Sequence, residues 1–200
     1  MNDGVHQEHS SYTIDMFNYE WYFTNTISFL GLLLVLSISY FILNSQYVKK
    51  NKLEIKITQL LGILILSRFL TSQIYQLYNG IWDPTHSLPF HLCSISGIAA
   101  GVLLIKYNQS IYEFVLLLGA PGALWSFLTP QFTLLESGAS FSAPSFLYFD
   151  YFISHGAIIF APLYLTFFMN KRPRPLSYFK VFIKSNIILV PFASIMNIII

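Results

Sequence analysis

The 200-residue chain has little charge and almost no cysteine: only 10% of its residues are charged and it holds one cysteine. Soluble globular domains carry about 25% charged residues, so the polar surface needed to face water is missing. A single cysteine excludes an intrachain disulfide and a CxxC metal site. The first fifteen residues, MNDGVHQEHSSYTID, contain no Lys or Arg. A secretory signal needs a basic start before an apolar core, so none is present there. No basic patch interleaved with aromatics is found, which argues against nucleic acid as a partner. What the chain does have is apolar bulk: 54% hydrophobic residues, including 19 Phe and 13 Tyr.

That bulk is organised in runs. A helix needs roughly 20 apolar residues to cross a bilayer. Six runs come near that length: Trp21 to Leu43, about Ile57 to Tyr78, Leu88 to Ile105, Ile111 to Leu128, Phe146 to Met169, and Tyr178 to the final Ile200. The expected fold is therefore all-α, a polytopic transmembrane helix bundle of about six spans. Residues 1–20 are expected as an extracytoplasmic polar tail and 21–200 as the bundle. Pro89 is expected at the opening turn of the third helix, where its missing donor is harmless. Pro121 is expected to kink the fourth. The sixth run is still apolar where the sequence stops, so the last helix reads as unfinished.

The basic residues set the expected orientation. Lys49, Lys50, Lys52 and Lys56 follow the first run, Lys106 follows the third, and Lys171, Arg172, Arg174, Lys180 and Lys184 follow the fifth. Ten of the eleven Lys and Arg residues thus fall on alternate sides, and the loops around Asp83 and Glu136 hold none. By the positive-inside rule the basic loops are cytoplasmic and the amino terminus extracytoplasmic, in a multi-pass protein of the cell membrane. Trp21, Trp82 and Trp125 all fall near the outer boundary, as an interfacial belt does.

Polar groups within hydrocarbon are costly and mark candidate sites. The candidates are Arg68 with Gln73, the stretch Leu88-Pro89-Phe90-His91-Leu92-Cys93-Ser94, Ser154 with His155, and Asn197. At 1.5 Å per residue, Arg68 and His155 lie roughly 15 Å below the outer boundary and Cys93 roughly 9 Å. All fall in the outer half. Cys93 has two readings. It is a small packing residue in a stripe with Gly97 and Gly101 that lets helices approach, or it is a nucleophile activated by a histidine. His91, two positions away on a regular helix, points away from it, so His155 is the better base. His155 otherwise reads as a core histidine bonded to Tyr151. Zinc would require three or four donors, and His91, His155, Cys93 and Asp150 are the few at depth, so no metal is expected. No cofactor is expected either. Arg68 reads as an ion-pair partner of Asp150 or Asp83, or as a binder of lipid phosphate. Glu113 suits a helix N-terminus and reads as structural. Ser126 and Ser154 are hydroxyls outside any GxSxG elbow.

The stretch from Leu88 to Ser94, together with Tyr112-Glu113-Phe114, Gly119-Ala120-Pro121-Gly122-Ala123, Thr129-Pro130 and Ser154-His155-Gly156, resembles the YwaF-like integral membrane proteins. These are grouped with animal transmembrane protein 164. The likeness runs from about Leu60 to Asn197. Members usually have seven spans, and an Asn near the end of the sixth belongs to the pattern. The animal member is described as a cysteine-dependent acyltransferase that moves acyl chains between phospholipids. The resemblance therefore implies Cys93 as acyl-accepting thiol, His91 or His155 as base, Arg68 near a lipid headgroup, and Asn197 as a further substrate contact. In the animal form the thiol directly precedes the motif histidine. Phe90 fills that place here, and Cys93, three residues on, is expected on the same helix face one turn away.

Two functions of different kinds are thus in view. The first is a phospholipid acyltransferase or lipid hydrolase working through acyl-Cys93, with membrane phospholipids as partners. The alternative is a non-enzymatic transporter or sensor whose polar cavity is lined by Arg68, His91 and His155. A third reading is a helical subunit that binds a partner through the Cys93, Gly97 and Gly101 stripe.

Overall fold

The computed structural model describes residues 10–134 and 146–199. His6, His9 and Glu136 therefore lie outside the described residues. The first helix, α1 (Tyr19–Asn44), starts at Asn18, whose side-chain oxygen accepts the Trp21 amide hydrogen at 2.7 Å. That bond supplies one of the acceptors a helix start lacks. A short α2 (Gln46–Lys50) carries part of the basic loop and leads into α3 (Glu54–Tyr78). Then come a one-turn α4 (Pro84–Ser87) and the 14-residue α5 (Leu92–Ile105). The fourth span is continuous from Gln109 to Leu128 but is built in three pieces. These are α6 (Gln109–Phe114), a π-helical turn over Val115–Gly119, and α7 (Ala120–Leu128). The long helices α8 (Phe146–Phe168) and α9 (Ser177–Ile199) follow.

The six runs read from sequence match this order closely. Among the described residues four helices are long and apolar enough to cross a membrane, and Leu92–Ile105 is a shorter apolar helix. The chain is a multi-pass helical membrane protein. Its outward faces agree: Leu30, Leu33, Leu34 and Phe41 on α1 and Ile183, Ile187 and Ile188 on α9 are all exposed. Such a surface is stable only against lipid, since exposed apolar patches of that extent are rare on soluble monomers.

Three local features depart from the expectations. The third helix begins at Leu92 rather than near Pro89. The Phe90 amide bonds the Leu88 carbonyl at 2.8 Å, closing a tight turn about Pro89, and His91 is extended (φ −76°, ψ 149°). Pro121 does not simply kink its helix. Proline has no N–H to return to the preceding turn, and the helix widens into the π turn just before it. Finally, the all-α bundle carries one short ribbon at its end that the sequence does not announce. Ser10–Thr13 (β1) pairs antiparallel with Gln131–Leu134 (β2), Ser10 opposite Leu134 and Thr13 opposite Gln131. The Ile14 amide extends the ribbon to the Pro130 carbonyl at 3.1 Å.

The core centres on α8, which packs against α1, α3, α5 and α7. Ile158, Ala161, Tyr164 and Leu165 are all buried there. Between α3 and α5 the approach is set by glycine. A Cβ on Gly62 would stand 2.6 Å from the Gly101 carbonyl oxygen. Gly101 is thus used against α3, while Gly97 faces Ile158 of α8. The small-residue stripe therefore serves packing within the chain, not the surface the third reading requires.

The helix ends sort into two groups. One end carries the ribbon, Trp21, Trp82, Trp125, and the starts of α5 and α8. The other carries the basic loops. There Glu113, buried, accepts from the Arg174 backbone N–H and from its Nε and Nη2 at 2.8–2.9 Å, and from Gln109 Nε2 at 2.7 Å. The bond to Glu113 pushes the Arg174 guanidinium's pKa up. Glu113 is structural, as expected, and its partner is a residue 61 positions away.

Candidate functional site

At the tryptophan end the starts of α5 and α8 meet the end of α7. Cys93 is the second residue of α5. The first amides of any helix lack intrahelical acceptors, and the His91 side chain makes no capping bond to those of α5. Cys93 is half-buried, with Sγ 3.7 Å from Ser126 Oγ. Ser126 donates its own hydroxyl hydrogen to the Gly122 carbonyl at 3.1 Å. Its oxygen is therefore left to accept from the thiol.

Ser126 also links α7 to α8. Its carbonyl accepts the Tyr151 hydroxyl at 2.8 Å. The Tyr151 ring lies 4.3 Å from the His155 ring, and the Tyr151 carbonyl lies 2.7 Å from His155 Nδ1. A carbonyl can only accept, so Nδ1 carries the proton in the neutral ring and Nε2 keeps its lone pair. His155 is buried at 7% exposure, with Phe127 on one side. Ser154 also donates to the Tyr151 carbonyl, at 2.8 Å, which fixes that oxygen's position. The bond to Tyr151 is the one that the core-histidine reading expects. His155 is bonded to Tyr151, and that bond leaves its other nitrogen basic.

Cys93, Ser126, Tyr151 and His155 form one cluster across three helices, with no described hydrogen bond joining Cys93 and His155 directly. His91 is exposed at the mouth of α5. Phe90 precedes the helix and its ring packs on Phe192 of α9 at 5.5 Å between centroids. It does not share a helical face with Cys93, contrary to the sequence expectation. The side chain of Asn197 lies outside the described residues. Among the described residues no three His, Cys, Asp or Glu side chains come together as a metal-ligand group.

Arg68 belongs elsewhere. Its Nη1 pairs with Asp150 Oδ1 at 2.5 Å, while Ser72 donates to Oδ2 at 2.9 Å. The network continues outward from Ser72 through Gln76 and Ser87, and Ser87's carbonyl accepts from Gln73 Nε2, whose own oxygen accepts from Trp82 Nε1. It ties the connection after α3 back onto that helix. Asp150 is five residues before His155, so Arg68 sits about 8 Å nearer the tryptophan end than that histidine. The equal depths expected from sequence therefore separate into two levels. Arg68 lines an apolar groove that neither His91 nor His155 lines. This groove is therefore not the cavity shared by all three that a transporter or sensor reading invokes.

With this geometry in place, the comparison with known families is decisive for kinship. A model of the TMEM164 family matches residues 16–200, from before α1 to the end of α9. The chain belongs to the TMEM164 family. No curated protein and no solved structure matches it. The matched region contains every residue of the Cys93 cluster and the Arg68–Asp150 pair. Sequence reasoning named Cys93, His155, Asp150 and Tyr151. It did not join Ser126 to the thiol, because a lone serine on an apolar helix carries no spacing signal. Ser72, Gln76 and Ser87 escaped for the same reason.

Proposed function

We propose that this TMEM164-family protein is a cysteine-dependent phospholipid acyltransferase of the cell membrane, its tryptophan end extracytoplasmic and its basic end cytoplasmic. The observation that carries the reading is Cys93 at the second position of α5, 3.7 Å from Ser126, in one cluster with a histidine whose Nδ1 is already committed. A helix N-terminus favours a thiolate, and its unpaired amides suit a developing oxyanion.

The chemistry then runs in two halves. His155 Nε2 takes the Cys93 proton, and the thiolate adds to an ester carbonyl carbon of a phospholipid. The negative oxygen is met by the amides at the start of α5. The ester C–O bond breaks, the glyceryl oxygen leaves with the proton from His155, and the acyl group stays on sulfur. A lysophospholipid hydroxyl next gives its proton to Nε2 and attacks the thioester. The C–S bond breaks, and the thiolate recovers the proton. Water in place of the hydroxyl releases a fatty acid, which makes lipid hydrolysis the side outcome of the same site. His91, exposed at the mouth, and Asn197 on the last turn of α9 are the substrate contacts in this scheme.

The test is to trap the intermediate. Proteoliposomes of phosphatidylcholine bearing an alkyne-tagged acyl chain are quenched in acid, and the tag is located on peptides. A hydroxylamine-sensitive label on Cys93 is expected, absent from Cys93→Ala. His155→Ala is expected to slow labelling by roughly 100-fold or more, the usual contribution of a general base. Labelling that survives Cys93→Ala overturns the assignment. If labelling is insensitive to His155→Ala but lost in His91→Ala, the base is His91 instead.

A further inference from the structure

α8 has a second face. Phe149, Ile153, Gly156 and Phe160 form a stripe at spacings of three and four residues, and they floor a groove walled by α1 and α3. At 3.6 residues per turn this stripe lies roughly 180° around the helix from Tyr151, His155 and Ile158. The groove is therefore separated from the Cys93 cluster by the body of α8. Its volume is about 460 Å³, within the roughly 300–1,000 Å³ usual for small-molecule sites. Along α8 it runs about 16 Å, from Phe149 to Phe160. The α1 wall is kept low by Gly31, beside which a Cβ would meet nothing within 4 Å.

The lining is apolar except for Ser28 and, at the tryptophan end, the guanidinium of Arg68. Arg68 makes one described hydrogen bond, from Nη1 to Asp150, and its Nε is buried with no acceptor. An unpaired buried donor is costly, about 1–3 kcal/mol. The edge formed by Nε and Nη2 is the one that grips two oxygens of an oxyanion side by side. Arg174 uses that same edge on the Glu113 carboxylate in this chain. At Arg68 the edge has no described partner. Phosphate offers the oxygen pair such a fork fits. Asp150 is four residues from the start of α8, about 6 Å below it, a level that a lipid phosphate at the membrane interface can approach.

We propose that the groove between α1, α3 and α8 seats one glycerophospholipid, its phosphate on the free edge of Arg68 and one acyl chain laid along the α8 stripe toward Phe160. This seat does not depend on acyl transfer at Cys93. A bound lipid there joins α1, which packs mainly on α8, to α3 across the gap between them.

The probe is phosphatidylethanolamine with a diazirine in one acyl chain, mixed at low fraction into phosphatidylcholine nanodiscs holding the full chain. Photolabelling is expected to concentrate on groove residues such as Gly31, Leu64 and Ile153, over lipid-facing positions such as Phe41 and Ile183. Gly31→Trp, which fills the groove without touching the ion pair, is expected to cut groove labelling at least fivefold. So is the pair Arg68→Gln with Asp150→Asn, which removes the fork while leaving no buried charge unpaired. Cys93→Ala is expected to leave it unchanged, so failure of the acyl-transfer reading and failure of this one are told apart. Labelling spread evenly over the lipid-facing residues overturns the proposal, as does groove labelling indifferent to both changes. Equal groove labelling by a diazirine fatty acid, which has no phosphate, overturns it too.

Discussion

The closest approach in the bundle gives the sharpest prediction of stability. Replacing Gly62 by Ala places a methyl carbon 2.6 Å from the Gly101 carbonyl oxygen, 2.8 Å from Ile105 Cγ1 and 3.0 Å from Ile105 N. Two of these three neighbours are backbone atoms, which cannot rotate away. A relaxed carbon–oxygen contact lies near 3.3 Å, so α3 and α5 must separate locally by about 0.7 Å. A gap of that size forfeits roughly a quarter to a half of each dispersion contact beside it. Overpacking of this kind costs about 1–3 kcal/mol, more than the ~1 kcal/mol by which Ala exceeds Gly in helix propensity. Gly31→Ala is the matched control, because nothing lies within 4 Å of its new carbon. The same chemical change is therefore expected to lower stability at Gly62 and to leave it equal or raise it at Gly31. Loss of helical circular dichroism, followed against the mole fraction of sodium dodecyl sulfate in bicelles, measures both. If Gly62→Ala stabilises as Gly31→Ala does, α3 and α5 are not packed backbone to backbone and the reasoning is wrong.

Other consequences follow from the polar pairs. Arg68 and Asp150 are 20% and 12% exposed at the side chain, so Asp150→Asn alone is expected to cost about 3 kcal/mol, and the double change with Arg68→Gln distinctly less. The same titration gives the coupling, and additive losses would contradict a paired buried charge. Glu113→Ala should speed hydrogen exchange at the Arg174 amide, which loses its side-chain acceptor, while leaving exchange within α8 unchanged; an unaltered Arg174 amide would count against the clamp. Tyr164→Phe removes the buried 2.9 Å bond to Thr58 between α8 and α3, with an expected cost of about 1 kcal/mol. Thr58→Val in the Tyr164→Phe background should add little.

Hydropathy made the helices legible, because a span must satisfy its backbone internally and cover itself with apolar side chains over a fixed length. The run from Phe146 to Met169 differs from the observed α8 by one residue at its end. Boundaries set by turn chemistry were less visible. Pro89 is compatible with a helix start, yet the turn it closes through Phe90 delays α5 to Leu92. The π turn needed two facts together: Pro121 withdrawing a donor, and Gly119 lying close against Ser96, where a Cβ would stand 3.0 Å away. The ribbon of Ser10–Thr13 with Gln131–Leu134 joins segments too far apart in sequence for any local pattern to pair them.

The candidate site was legible residue by residue but not as an arrangement. Intramembrane Arg68 and His155 are conspicuous because each is expensive in hydrocarbon, and Cys93 because it is the one thiol in the chain. Which of them meet depends on helix rotation, and small errors in a boundary turn a side chain to another face. One such rotation sets Arg68 against Asp150 and the groove, and Cys93 against Ser126 on the opposite side of α8.

The central claim is acyl transfer through Cys93, and its most direct test is exchange itself. Purified chain in liposomes of defined phosphatidylcholine, supplied with an isotopically labelled lysophospholipid, is followed by mass spectrometry for newly acylated product. The account predicts labelled diacyl product from the wild type and none above background from Cys93→Ala, with both proteins equally stable in the dodecyl sulfate titration. Equal product from the two, or none from a folded wild type, would contradict it.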